Sequence, residues 1–329
     1  MTPPLIALEE HYYSSAIFSS LDPRFQHQLS AIPGLANSLR EVGNERLASM
    51  DDGHIALQVI SHAFTPGSPS AENCRLGNDE LAHAIASSGH AERYAAFAVL
   101  PVGSPSESAL ELARTVSSHH FVGALVDNHA NGKHFDGPEY DVLWSQACEL
   151  DVPIYLHPTF PSMEAAKGFM GAYPLNVGIS LGAAGYGWHG DVGLHVLKLF
   201  CAGVFDRFPK LKVVVGHFGE TLPFMLERCE DMSERWGGWG KRERGLRRVW
   251  DENVWVTTSG AWSLGPMKCL VENTKVDRVL YSVDYPFESN GKGREWFEKL
   301  EASGLLSEEE LRGVAYGNAE ALLRVKAKG

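Results

Sequence analysis

The chain has no Cys-x-x-Cys pair, and its five cysteines, Cys74, Cys148, Cys201, Cys229 and Cys269, are odd in number and widely spaced. That excludes a zinc ribbon or a disulfide framework and reads as reduced thiols in an intracellular protein. Basic charge is also scarce: 29 Lys and Arg stand against 41 Asp and Glu, a formal net charge of -12. Such a surface argues against nucleic acid or an anionic membrane as the main partner. No apolar run approaches the roughly 20 residues that span a bilayer. The opening Met-Thr-Pro-Pro has neither a basic n-region nor a cleavage site, so no signal peptide is expected. No Gly-x-Gly-x-x-Gly follows the first strand-like run and no Walker phosphate loop occurs, which disfavours nucleotide binding of those kinds. A cytoplasmic globular protein acting on a small molecule is the expectation, with 44% hydrophobic residues to build one large core.

What is present is alternation. Strand-like runs near residues 5–10, 55–61, 94–99, 122–126, 153–157, 212–217, 253–258 and 278–283 are separated by helix-like segments near 44–51, 78–90, 105–118, 139–150, 190–206, 220–236, 264–273 and 291–302. Two shorter helical segments, near 307–313 and 317–326, close the chain. Eight βα units predict a single (β/α)8 barrel of the TIM type over residues 1–329. Two connections, near 12–43 and 158–189, are too long for simple turns. Both leave strand ends that carry a histidine, and the second is rich in glycine and aromatics, which suits a lid over a flat ligand or a contact between subunits.

Four of the strand-like runs end in metal-friendly side chains: Leu5-Ile-Ala-Leu-Glu-Glu-His11, Pro153-Ile-Tyr-Leu-His157, Lys212-Val-Val-Val-Gly-His217 and Val279-Leu-Tyr-Ser-Val-Asp284. Glu9 and His11 are two apart, so they share a strand face, and Glu10 is expected to meet a cation outside the barrel. Strands one and eight are neighbours in a closed barrel, which brings Asp284 beside Glu9 and His11 with His157 across the mouth. Two imidazoles and two carboxylates suit one divalent ion, Zn2+ first, with Mn2+ or Mg2+ as alternatives, and no organic cofactor. His217 opens Gly216-His-Phe-Gly-Glu220. If Glu220 starts the next helix, it can fix one imidazole nitrogen and leave the other for proton transfer.

The segments Ala7-Leu-Glu-Glu-His11, Tyr155-Leu-His-Pro158, Gly203-Val-Phe-Asp-Arg-Phe-Pro-Lys-Leu-Lys212, Gly216-His-Phe-Gly-Glu220, Thr257-Thr-Ser-Gly260 and Ser282-Val-Asp-Tyr-Pro-Phe287 together resemble the amidohydrolase-superfamily decarboxylases. The nearest likeness is to the hydroxybenzoate group, the γ-resorcylate, 2,3-dihydroxybenzoate and salicylate decarboxylases, with aminocarboxymuconate-semialdehyde decarboxylase more distant. It runs from about residue 5 to 325. The resemblance implies a (β/α)8 barrel, one divalent metal on Glu9, His11, His157 and Asp284, and reversible, non-oxidative loss of CO2 from an ortho-hydroxyaryl acid. It also implies catalytic roles for His217, Glu220 and Asp284, and a homodimer or homotetramer. A ring must be protonated at the carbon that bears the carboxylate before CO2 can leave, and Asp284 or His217 can supply that proton.

Departures from the relatives fall near the expected mouth: Asp127 after the fourth strand, His62 after the second, Ala261-Trp262, and Glu227 beside Arg228. His62, Asp127, Arg228 and His189 are therefore the candidate contacts for a small aromatic acid. Two other readings stand beside decarboxylation. The same barrel can serve a hydrolase or hydratase acting on a lactone, amide or enol acid, or a non-catalytic binding protein. An intact ligand set with a proton-relay pair argues against the last.

Overall fold

The computed structural model describes residues 3–327. Its eight strands are β1 (Leu5–Tyr12), β2 (Ile55–His62), β3 (Tyr94–Ala96), β4 (Ala124–Asp127), β5 (Ile154–His157), β6 (Val213–Val215), β7 (Val254–Thr257) and β8 (Val279–Leu280). Every paired neighbour is parallel. The pairs form a β1-β2-β3 sheet and a β4-β5-β6-β7-β8 sheet. Isolated parallel bridges Ala98↔Ala124 and Glu10↔Tyr285 join the two at both seams. The second seam carries His11 N→Tyr285 O at 2.6 Å and Asp284 N→Glu9 O at 3.0 Å. The result is the expected α/β barrel of the TIM type.

Two apolar layers follow from strands buried on both faces. Ile6, Leu8, Val59, Phe97, Leu125, Tyr155, Val214 and Leu280 pack together with Leu322 and Leu323 of the last helix, filling the interior and closing its lower end. Leu5, Ala7, Ile60, Val126, Leu156, Val215 and Val256 pack outward against helical residues such as Trp144, Phe205 and Trp296. Each such aliphatic side chain contributes roughly 1.5–3 kcal/mol when fully buried.

Element boundaries differ from expectation by a few residues, and three of the differences bear on the site. β6 stops at Val215 and β8 at Leu280, so His217 and Asp284 lie on the loops that follow and not on the strands. The helix expected from residue 220 begins at Leu222, and Glu220 precedes it. The two long connections contain structure of their own: helices Ser15–Ser20, Pro23–Ala31 and Leu35–Ser38 in the first, and Met163–Ala166 and Leu175–Gly182 in the second. Among the described residues no helix is long and apolar enough to cross a membrane.

Candidate metal centre

β1 does not keep strict alternation. Ile6 and Leu8 face the interior, yet Glu9 does too, because the pairing of β1 with β2 shifts register between Ala7 and Glu10. Such an irregularity re-aims a side chain. Beyond it His11 again points inward, while Glu10 turns into the seam.

Glu9 is fully buried. Its Oε2 accepts from the hydroxyls of Ser259, at 2.6 Å, and Tyr155. Tyr155 and Ser259 are themselves tied to Thr257 at 2.8 and 3.0 Å. Among the described residues Glu9 Oε1 has no hydrogen-bond partner, and neither does His11 Nε2. These free atoms converge: Glu9 Oε1 lies 3.3 Å from His157 Nε2, 3.7 Å from His217 Nε2 and 4.0 Å from His11 Nε2. His11 Nε2 is 3.1 Å from Asp284 Oδ1. A buried carboxylate oxygen left without a donor is costly unless a cation faces it. The orphaned atoms and the mixed imidazole and carboxylate donors fit a divalent ion.

The electrostatics agree. Burial raises the Glu9 carboxyl, but the charges of His217, His157 and His11 outweigh it and hold the group ionised, well below its usual range. Burial lowers His11 to about 4, keeping its imidazole neutral as ligation requires. Asp284 is pushed well above the usual carboxylate range by burial and by the charge of Glu9. It sits at φ 75°, a left-handed conformation that is uncommon for a residue with a Cβ.

His217 and Glu220 face each other because five consecutive residues, His217 to Thr221, all have positive φ. This left-handed turn folds the pair together, with His217 Nδ1 2.7 Å from Glu220 Oε1. Burial by itself lowers His217, yet the charges of Glu220 and Glu9 raise it to about 10. Glu220, raised by burial and lowered more by His217 and His189, reaches about 2. An aromatic wall stands on the other side of the centre. Phe64 stacks on His157 at 6.3 Å and contacts Phe25, Phe160, Trp188 and Phe287. Both long connections contribute to it. A cavity of 520 Å3 opens beside His217, His189 and Gly260.

The structure thus brings together Glu9, His11, His157, His217 and Asp284, with Glu220 and His189 behind. Four other residues singled out in the sequence take these positions. His62 is buried with Nε2 2.9 Å from Ser14 Oγ, the cap of helix Ser15–Ser20. Asp127 accepts from the Thr65 N–H and hydroxyl, stitching the loop after β2 to β4, and burial lifts it to about 6. Arg228 is exposed, because Leu222, Pro223 and Leu226 take the buried face of helix Leu222–Arg235 and leave position 228 outside. Glu10 is buried and meets no cation directly. It accepts from Val283 N at 3.0 Å, Tyr285 N at 3.3 Å, Ser282 Oγ and the Gln58 amide, and Gln58 in turn holds Arg46. His189 lies in the first turn of helix Gly187–Cys201 and not in the preceding loop. Sequence reasoning gave no role to Tyr155, Thr257 or Ser259. Tyr155 carried a signal, being two residues before His157 and so on the same strand face.

Comparison with known proteins gives the family. A model of the amidohydrolase family matches residues 28–325. The chain is 68% identical over 328 residues to decarboxylase orsB of Emericella nidulans, covering 100% of this chain and 99% of that protein. It is 30% identical over 336 residues to a γ-resorcylate decarboxylase of Polaromonas sp., covering 97% and 98%. Among solved structures, a Polaromonas dihydroxybenzoic acid decarboxylase with bound manganese and the inhibitor 2-nitroresorcinol superposes with TM-score 0.84 at 28% identity, covering 97% of this chain and 96% of that one. The chain belongs to the amidohydrolase family.

Proposed function

We propose that the protein is a metal-dependent carboxy-lyase that removes CO2, without oxidation, from a hydroxybenzoate-type acid bearing a hydroxyl ortho to the carboxylate. The observation that carries this reading is the convergence of the unpartnered Glu9 Oε1 and His11 Nε2 with His157 and Asp284, in a chain whose relatives are decarboxylases. Glu9, His11, His157 and Asp284 would hold one divalent cation, and Mn2+ is favoured over the Zn2+ expected from sequence because the Polaromonas relative carries manganese. When bound, that ion supplies a positive charge that fixes the ortho-phenolate and carboxylate of the substrate.

The remaining chemistry belongs to the chain. The reaction is ArCO2− + H+ → ArH + CO2. One proton must reach the ring carbon, after which the C–C bond electrons remain on the ring as CO2 departs. His217, directed at the centre by Glu220 through Nδ1, and Asp284, 3.1 Å from His11 Nε2, are the two groups placed to deliver that proton. Two carboxylate ligands leave the centre with little net charge, which favours holding an anionic substrate over generating hydroxide and so favours decarboxylation over hydrolysis. Phe64, Phe287 and Trp188 supply an apolar wall for an aromatic ring and limit water. High bicarbonate is expected to drive the reverse reaction. Five free thiols support a reducing compartment. The exposed apolar side chains Met163, Leu175, Ile179 and Tyr186 on the second long connection support a homodimer or homotetramer.

The test is incubation of Mn2+-loaded protein with salicylates and dihydroxybenzoates in D2O, following CO2 release and deuterium at the vacated ring carbon. Activity on a lactone with neither signal across the panel would overturn the reading.

A further inference from the structure

We infer that His189 is a positioning residue that clamps Glu220 and thereby aims His217 at the metal centre. The inference rests on the reading of His217 as a proton donor given above, and it assigns His189 to this task instead of to substrate contact.

The clamp is built by two features of one helix face. Helix Gly187–Cys201 passes so close to the left-handed turn that a Cβ on Gly193 would lie 2.6 Å from the Glu220 backbone oxygen. Only glycine allows that approach. His189 is four residues earlier, one turn along the same face, so the approach delivers its ring to the Glu220 carboxylate. His189 Nδ1 then sits 2.7 Å from Glu220 Oε2, while His217 Nδ1 sits 2.7 Å from Oε1. Each carboxylate oxygen has one imidazole.

This matters because Glu220 has little else to fix it. The residue is fully buried, and it lies in the turn before the helix, with φ 53°, where no helical hydrogen-bond ladder orients it. With Oε2 held by His189, the carboxylate plane is set, and Oε1 meets His217 at Nδ1. A carboxylate only accepts, so both facing nitrogens must carry the proton. The His217 ring is therefore locked with Nε2 toward Glu9 Oε1. Without His189, one buried oxygen loses its donor and the carboxylate is free to rotate. The other His189 nitrogen, Nε2, is 3.3 Å from the Ala184 carbonyl oxygen. Side-chain exposure rises outward from Glu220 at 0% to His189 at 24%.

The test uses His189→Phe, which keeps a ring of similar size without a donor, and His189→Asn, whose amide N–H can occupy the place of Nδ1. In wild-type protein labelled with 15N-histidine, the His217 Nδ1–H should give a downfield proton signal. The expected result is loss or a large upfield shift of that signal in His189→Phe and its return in His189→Asn. In Mn2+-loaded protein, kcat should fall on the order of 10–100-fold in His189→Phe, with KM within about twofold and most of the loss recovered by Asn. An unchanged His217 signal in His189→Phe overturns the clamp whatever the activity. A loss expressed in KM with kcat retained also overturns it, in favour of a substrate contact. If the signal behaves as expected and wild-type protein releases no CO2 from any hydroxybenzoate, the clamp stands and the proposed reaction falls.

Discussion

Glu9 and Ser259 stand 250 residues apart in the chain and 2.6 Å apart in the fold, where the serine hydroxyl donates to the carboxylate oxygen that turns away from the imidazoles. This hydrogen bond, with that of Tyr155, decides which oxygen of Glu9 is left for a cation. Second-layer contacts of this kind hold a ligand in its binding orientation and raise its basicity.

Ser259→Ala should therefore weaken metal binding by roughly 10–100-fold while the fold survives. Titration of metal-stripped protein with Mn2+, read by calorimetry, measures this directly. An affinity equal to wild type would show that Tyr155 alone orients Glu9.

Removal of the metal should abolish CO2 release, and Mn2+ should restore it at one ion per chain. Glu9→Gln and Asp284→Asn should each fail to recover. Elemental analysis of the purified variants distinguishes a lost ion from a lost proton donor. Asp284→Asn that keeps its ion and its turnover would remove Asp284 from both proposed roles.

The His217 and Glu220 pair makes a pH prediction for chelator-treated protein. His217 rises from an ordinary value of 6.5 to about 10, so the stability it adds is complete below 6.5 and disappears as pH climbs through about 10. Glu220 falls from 4.5 to about 2, so its share is complete above 4.5 and disappears as pH drops through about 2. The difference in melting temperature between wild type and Glu220→Gln should be largest between pH 4.5 and 6.5 and shrink on either side. A difference that grows from pH 7 to 10 would contradict the charged pair.

Arg46 is fully buried, and its guanidinium donates to the His11 carbonyl at 2.6 Å, to the Ser38 and Glu41 carbonyls, and to Gln58, with the Tyr285 ring 4.8 Å away. It joins the first long connection to the end of β1 and the middle of β2. Arg46→Met should cost about 3–5 kcal/mol, the scale for removing one partner from a buried charged network. Urea denaturation measures the loss. A cost below about 1 kcal/mol would mean that water replaces the guanidinium, as at an exposed pair.

Much of this was legible in the chain. The eight strands lie where continuous apolar runs end at a turn, because parallel strands buried on both faces need such runs. Glu9 and His11 share a face through simple two-residue spacing, and His157 ends β5 immediately before a proline. The surroundings of the other candidate residues were not legible, for local reasons. His62 and Asp127 occupy strand ends as His157 does, but their partners, Ser14 and Thr65, are 48 and 62 residues distant. Arg228 depends on the rotational setting of one helix, which only its packing fixes.

Periodicity and short spacings made legible the barrel class, the ligand candidates on strands one and five and after strand eight, and the link between His217 and Glu220. Only the tertiary structure decided how those groups act together. The register shift in β1 turns Glu9 inward beside Leu8, where plain alternation would turn it outward. The left-handed run from His217 to Thr221 places Glu220 before its helix, although ordinary side chains disfavour that conformation and no glycine signal marks all five positions. The hydroxyls of Tyr155 and Ser259 and the ring of His189 come from remote segments. Their positions are set by the packing of whole elements, and no local pattern encodes that.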